Sequence, residues 1–340
     1  MARRLVSVPG LVLLALGFLV LVPIWLPVML VWDLFTGPRR LAHTRLCAFG
    51  LWWSWSETIG LARAGWHFVT GRAHDTDASY ALQRWWANQL VVGLRLTCGL
   101  VLEPRHTDAL VPGPVVVLPR HASLADALLS AWFVTQAGLR PRYVLKRELL
   151  ADPCLDLVGN RIPNHFLDRG AVDAKPELDA IRELAIGARG VDEGVVIFPE
   201  GTRANPEKRA RAMARLAERN PERAATLAGL RHLNPPRPAG TLAVLDGAPD
   251  ADVVVMAHAG FEGLDTFSGI LRSIPGRAPI LIDCLRVPRS EVPLDDEARI
   301  AWLDAEWLAL DARVDALLAE RAAMEQAATG PARRAERGGA

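Results

Sequence analysis

The chain has 340 residues, 51% of them hydrophobic and 23% charged, which excludes intrinsic disorder for most of its length. Its 39 Lys+Arg and 38 Asp+Glu leave a net charge of +1, which argues against a nucleic-acid binder working through bulk positive charge and leaves only a local basic patch open; no nucleic-acid partner is expected. Cys47, Cys98, Cys154 and Cys284 lie far apart, with no Cys-x-x-Cys and no His/Cys cluster. Neither a zinc site nor a disulfide scaffold is suggested, and the main domain is expected in a reducing compartment.

Residues 5–32 are 28 positions without a charge, long enough for a membrane span. Arg3 and Arg4 ahead of them resemble the start of a signal peptide, but the apolar run is too long and no small-residue cleavage site follows it. Pro9, Pro23 and Pro27 argue against one straight helix. A second apolar segment, 46–69, is interrupted by Glu57 and Arg63. Eight of the eleven tryptophans fall in the first 86 residues, and tryptophan favours the water–lipid interface. Residues 1–75 are therefore expected to be membrane-anchoring helices. Two arrangements fit: a tight hairpin crossing the bilayer twice, or a pair of helices buried in one leaflet. Arg3 and Arg4 favour a cytoplasmic N-terminus, in competition with Arg39, Arg40 and Arg45.

From about residue 80 the texture changes. Segment 85–102 has helical spacing with Arg95 as its only charge, as in a helix lying along a membrane surface. Short β-rich runs at 115–118, 143–145, 195–198, 253–257 and 280–287 then alternate with helical stretches, among them 124–135 and 177–188. That alternation predicts an α/β domain over 76–290, with a largely parallel sheet flanked by helices. Within it, 204–237 is a helical excursion with eight Lys/Arg against three Glu. It reads either as a solvated helix pair or as a face for anionic headgroups or CoA phosphates. Ile300, Leu303, Trp307, Leu310, Val314 and Leu317 mark an amphipathic helix in 291–328, and 329–340 read as a disordered tail.

The chemistry concentrates in two places. His121 and Asp126 directly follow the 115–118 run. In one continuous helix a five-residue spacing keeps the two side chains apart. They meet if His121 sits at a strand–helix junction and Asp126 in the first turns of the helix; the imidazole is then held in one tautomer as a base. Alone, the pair is weak evidence and reads more readily as a surface histidine near a helix start. Pro199-Glu200-Gly201-Thr202-Arg203 follows the 195–198 run. In parallel sheets ligands bind at the carboxyl edge of the strands, so both motifs are expected to open onto one crevice. Arg203 offers a planar fork for phosphate, and Gly201 lets the backbone come close. His165, His258 and Cys154 are expected to be structural.

His121–Asp126 and Phe198–Arg203 together resemble the two principal motifs of the glycerolipid acyltransferases, typified by 1-acyl-sn-glycerol-3-phosphate acyltransferase. Tyr143-Val-Leu-Lys146-Arg-Glu-Leu149, with Pro153, Asn160–Asn164 and Asp168-Arg169, resembles the family's second block, and Val253–Gly260 its fourth. The segment ending in Asn234-Pro-Pro-Arg-Pro and the Trp302/Trp307 helix are similar to the lysocardiolipin and lysophospholipid acyltransferase branch. Pro119-Arg120 stands where the family usually has a small residue and Asn.

The resemblance implies a glycerol-3-phosphate acyltransferase-like fold preceded by N-terminal membrane helices. It implies transfer of an acyl chain from acyl-CoA or acyl-carrier protein, as substrates, to the hydroxyl of a lysophospholipid, with 1-acyl-sn-glycerol 3-phosphate the first candidate and a lysocardiolipin-like acceptor the alternative. His121 is then the base, oriented by Asp126. Arg203 and Lys146, with Glu200, Gly201 and Thr202, hold the acceptor phosphate. No metal or organic cofactor is implied. The partners are the bilayer, the acyl donor and the lysophospholipid, with the catalytic domain on the cytoplasmic face of the cell membrane. A membrane-bound lipid ester hydrolase is the rival from another class, disfavoured because a lone dyad lacks nucleophile and metal.

Overall fold

The computed structural model describes the chain except Met1, Pro38, Leu124, Arg169, Ala171, Val172, Asp265 and residues 338–340. Leu124, the expected start of one helix, and Arg169 of the second block thus lie outside the described residues. The described strands are β1 (Leu102–Arg105), β2 (Val115–Pro119), β3 (Arg140–Lys146), β4 (His165–Leu167), β5 (Glu193–Val196), β6 (Asp252–Ala259) and β7 (Ile280–Val287). The chain divides into two units: Met1–Val101 with Leu145–Gly170 and Thr266–Arg277, and Leu102–Val144 with Ala171–Asp265 and Ala278–Ala340.

The first unit holds α1 (Ala2–Val20), α2 (Val22–Thr36), α3 (Ala42–Val69) and α4 (Thr76–Cys98). α1 ends at Val20 and α2 begins at Val22 with Pro23 in its first turn, where proline's missing N–H costs nothing. Pro9 and Pro27 are accommodated inside α1 and α2. α1 alone among the described helices is long and apolar enough to cross a membrane, by length and composition, over Arg3–Val20. α2 has 15 residues. At 1.5 Å per residue it covers about 22 Å, short of a hydrocarbon core of about 30 Å. Leu5, Val6, Leu13, Val20, Ile24 and Phe35 are exposed on these two helices.

Nothing divides the chain at residue 75. Leu11, Leu61, Ala64 and Leu82 form one buried cluster with Cys154 and Val158, against which Trp53, Trp85 and Trp86 pack. The helix Pro153–Gly159 is thereby bound into the N-terminal helices by apolar contact. Arg3 and Arg4 both pair with the buried Asp156, and Arg45 donates to the Thr97 carbonyl. Arginines that read as topology signals are therefore partly engaged in folding this unit.

In the second unit the sheet runs in the order β1-β7-β6-β2-β5-β3. β6, β2, β5 and β3 are parallel neighbours, β1 is parallel to β7, and β6 and β7 are antiparallel. Every residue of β2 is buried, as is all of β6 after Asp252. Uninterrupted valine runs of this kind suit strands covered on both faces. The sheet is thus largely parallel, as expected, with the antiparallel β6–β7 pair making it mixed. β1 and β4 are additions; four and three residues carry too little alternation to be read from sequence.

The terminal helix, Asp296–Arg337, packs against β6 and buries Leu303, Trp307, Leu310, Val314 and Leu317. Its backbone continues beyond residue 328, into the stretch expected as a disordered tail. The helix-favouring Ala, Arg and Glu at 332–337 are compatible with that. The basic excursion forms the helices Pro206–Arg219 and Pro221–Thr226, then folds onto the terminal helix. Arg223 makes a two-pronged pair with Asp304, and Asp311 accepts the backbone N–H groups of Arg231, His232 and Leu233. These bonds fix the stretch that continues to Arg237.

Candidate active site

β2 delivers its last buried residue, Pro119, to the carboxyl edge of the sheet, and Arg120 and His121 follow at once. Asp126 opens the helix α5 (Asp126–Gln136) and is wholly buried. Its carboxylate turns back over the intervening loop. Oδ2 accepts the backbone N–H of Ala122 and of Ser123 (2.6 Å), and Oδ1 accepts the Ser123 hydroxyl (2.8 Å). The same Oδ2 lies 3.0 Å from Nδ1 of His121. The five-residue spacing thus closes because the two residues straddle a strand–helix junction. A carboxylate only accepts, so Nδ1 carries the proton and Nε2 is left with a lone pair. No described residue is hydrogen-bonded to Nε2. The imidazole is half-buried, its ring centroid 4.9 Å from that of Phe198. Burial alone would raise the Asp126 carboxyl, but His258, His121 and the Ser123 N–H together hold it below the usual carboxylate range.

The second motif leaves β5, the parallel neighbour of β2. Phe198–Arg203 turns sharply at Gly201, whose φ of +65° suits glycine and whose N–H reaches the Phe198 carbonyl at 3.0 Å. The loops are sewn together by backbone groups: Ala204 N–H donates to the His121 carbonyl (2.6 Å), and Arg237 N–H to the Pro199 carbonyl (2.8 Å). Both motifs therefore open at the same edge of adjacent strands.

Glu200, assigned by resemblance to the acceptor-phosphate group, has a different place. It is 1% exposed, and its two oxygens accept the backbone N–H of His121 (2.7 Å) and of Asn234 (2.8 Å). Burial pushes its carboxyl up to about 8, against the pull of those two N–H groups and of Arg120. Glu200 holds the loop that carries His121 and presents nothing to a ligand. Thr202 is half-buried, with its carbonyl accepting from Asn234 Nδ2 at 3.1 Å. Arg203 is half-buried, and no described residue pairs with its guanidinium. Lys146 ends β3 and falls in the first unit.

Three further groups meet here to which the sequence assigned no part in the site. Arg237 is exposed, and a Cβ placed on Gly201 would meet its Cδ at 3.2 Å, so the arginine stem lies across the Glu200–Arg203 turn. The buried Arg120 donates to the His258 carbonyl and to Glu262, both at 2.6 Å. His258 approaches Asp126 from β6, with Nε2 at 3.4 Å from Oδ1. The signal for Arg237 is its position in the Pro-rich Asn234-Pro-Pro-Arg-Pro segment; for His258 it is a titratable residue within a valine strand.

The acyltransferase family model matches residues 103–225, which include both motifs. No curated protein matches the chain. Among solved structures, the 1-acyl-sn-glycerophosphate (LPA) acyltransferase PlsC from Thermotoga maritima is similar. It has 13% identity and a TM-score of 0.47, with 77% of this chain and 94% of that one covered.

Proposed function

We propose that this acyltransferase, whose residues 103–225 carry the family domain, moves a fatty acyl chain from acyl-CoA or acyl-carrier protein onto the free hydroxyl of a lysophospholipid, first of all 1-acyl-sn-glycerol 3-phosphate, giving phosphatidic acid. The observation that carries this reading is the His121 imidazole, committed to Asp126 at Nδ1 and open at Nε2, one hydrogen bond from the loop that bears the unpaired Arg203. Nε2 takes the proton of the acceptor hydroxyl as its oxygen attacks the thioester carbonyl. The tetrahedral intermediate then collapses, the C–S bond breaks, and the departing thiolate takes the proton back from the imidazolium. Asp126 stabilises that imidazolium throughout. No serine or cysteine nucleophile is required.

Arg203 and Arg237 hold the acceptor phosphate in this account, with Lys146 as a further candidate. A dianionic phosphate monoester uses two guanidinium groups better than a zwitterionic headgroup does. Acceptors presented in parallel should therefore rank with lysophosphatidic acid above lysophosphatidylcholine. Arg203→Ala and Arg237→Ala should each raise KM for lysophosphatidic acid about 10- to 100-fold, the scale of a charged hydrogen bond. Equal use of all acceptors, and unchanged KM in both variants, would exclude phosphate-based selection. Preference for a lysocardiolipin-type acceptor would favour the alternative branch.

The exposed apolar faces of α1 and α2 support seating in the bilayer, where acceptor and product reside, with the second unit on the cytoplasmic side that supplies the thioester. The full-length protein should remain in the membrane pellet after alkaline carbonate extraction. Release into the supernatant would rule out an integral attachment.

A further inference from the structure

β6 runs parallel to β2 with Met256 opposite Pro119, so His258, two residues on, comes level with the loop after β2. The His258 side chain is wholly buried. Its Nε2 lies 3.3 Å from the Arg120 carbonyl oxygen and 3.4 Å from Oδ1 of Asp126. A carbonyl and a carboxylate are both acceptors, so Nε2 must bear the proton. Nδ1 has no hydrogen-bond partner among the described residues. Burial lowers the basicity of the ring, which is therefore neutral and acts on Asp126 through its N–H dipole. An imidazole kept in the core with one nitrogen unsatisfied is costly, and an apolar side chain would fill the same place without that cost. What only the imidazole supplies is an N–H that is hydrogen-bonded to the Arg120 carbonyl and lies within 3.4 Å of the carboxylate.

We propose that His258 is a positioning residue for acyl transfer: its Nε2–H, anchored on the Arg120 carbonyl and 3.4 Å from Asp126 Oδ1, acts electrostatically on the carboxylate and so fixes the rotation that presents Oδ2 to His121. The inference rests on the reading of His121 as the base. Oδ2 is held by His121, Ala122 and Ser123, whereas Oδ1 has only the rotatable Ser123 hydroxyl besides His258. Arg120 pins the strand end from the other side through the His258 carbonyl and Glu262. The charged or titratable groups acting on His258 are Asp126, Arg120 and Glu262, and Glu200 acts on Asp126. Across the sheet β7 presents the apolar Ile282, and from the terminal helix Arg321 reaches Gly260.

Without the His258 N–H, nothing near Oδ1 among the described residues but the Ser123 hydroxyl offsets the Asp126 charge, which then acts more fully on a protonated His121. The rate should fall, and the acid limb of the pH profile should move to higher pH. The test compares full-length wild type, His258→Phe, which keeps a ring but no donor, and His258→Gln, which can place an N–H near Nε2. The readouts are kcat and KM for transfer from oleoyl-CoA to lysophosphatidic acid across the range where histidine titrates. His258→Phe should lose about tenfold in kcat, the low end of losses from outer-shell partners, with KM unchanged. Its acid limb should rise by about 1 pH unit. His258→Gln should recover most of the rate and the wild-type limb. A purely packing role would lower the folded fraction and leave the limb in place, so an unmoved limb in His258→Phe overturns the proposal, as does His258→Gln behaving like His258→Phe. Should His258→Phe fail to fold, His258→Leu replaces it. If neither folds, the limb of His258→Gln decides, coinciding with wild type if the proposal holds and displaced if it does not. His121→Ala in the same assay separates the two levels: wild-type transfer there sinks the base assignment, whereas an inactive His121→Ala beside an unshifted His258→Phe sinks only the present inference.

Discussion

His121→Ala should reduce acyl transfer by at least about 10²-fold, and up to about 10⁴-fold, the contribution of a positioned general base. The loss should fall on kcat, because the acceptor phosphate is bound elsewhere in this account. The imidazole is half-buried and makes one side-chain hydrogen bond, so the fold should survive its removal. Far-ultraviolet circular dichroism and membrane sedimentation of the variant check that directly. Asp126→Asn should follow the same pattern and add a structural cost. Its carboxylate accepts two backbone N–H groups, a hydroxyl and His121 Nδ1, and an amide cannot accept on both sides. Wild-type turnover in Asp126→Asn would reduce that residue to a helix-start bond.

Glu200→Ala should damage stability and activity together. It strands two buried backbone donors, those of His121 and Asn234. At about 1–3 kcal/mol for each unsatisfied group, the unfolding free energy should drop by about 2–6 kcal/mol. Transfer should collapse as well, because the bond to His121 N–H fixes where the imidazole stands. Chemical denaturation at several pH values carries a further check. The folded carboxyl, pushed up to about 8 from 4.5, favours the protonated form. Its stabilisation is therefore fully present below about 4.5 and lost as pH rises through about 8. That decline should flatten in Glu200→Gln. A Glu200→Ala protein as stable and active as wild type would mean that the loop stands without it.

The dyad was legible in the sequence because it is local: five residues separate its members, and a buried strand followed by a helical pattern supplies the junction that lets them meet. The same locality made β2, β5, β6 and β7 readable as apolar runs. Glu200 misled because its surroundings in sequence, Pro199 and Gly201-Thr202-Arg203, look like an exposed turn. Its burial depends on Asn234, brought over by the excursion that Asp304 and Asp311 strap down. His258 reads as an ordinary strand end until the pairing of β6 with β2 sets it beside Asp126, and that register is a long-range fact. The N-terminal boundary was missed for a similar reason. Cys154 and Val158 share a core with Leu11 and Leu61, which no window along the chain contains.

The central claim is direct transfer from thioester to lipid hydroxyl with His121 as base and no acyl-enzyme. The most direct measurement incubates the purified full-length protein with radiolabelled oleoyl-CoA, with and without lysophosphatidic acid, and quenches in denaturant. The account predicts labelled phosphatidic acid only when acceptor is present, no label retained on the denatured protein in either case, and no product from His121→Ala. Label covalently bound to the protein, or labelled free fatty acid released at the same rate without acceptor, would contradict it.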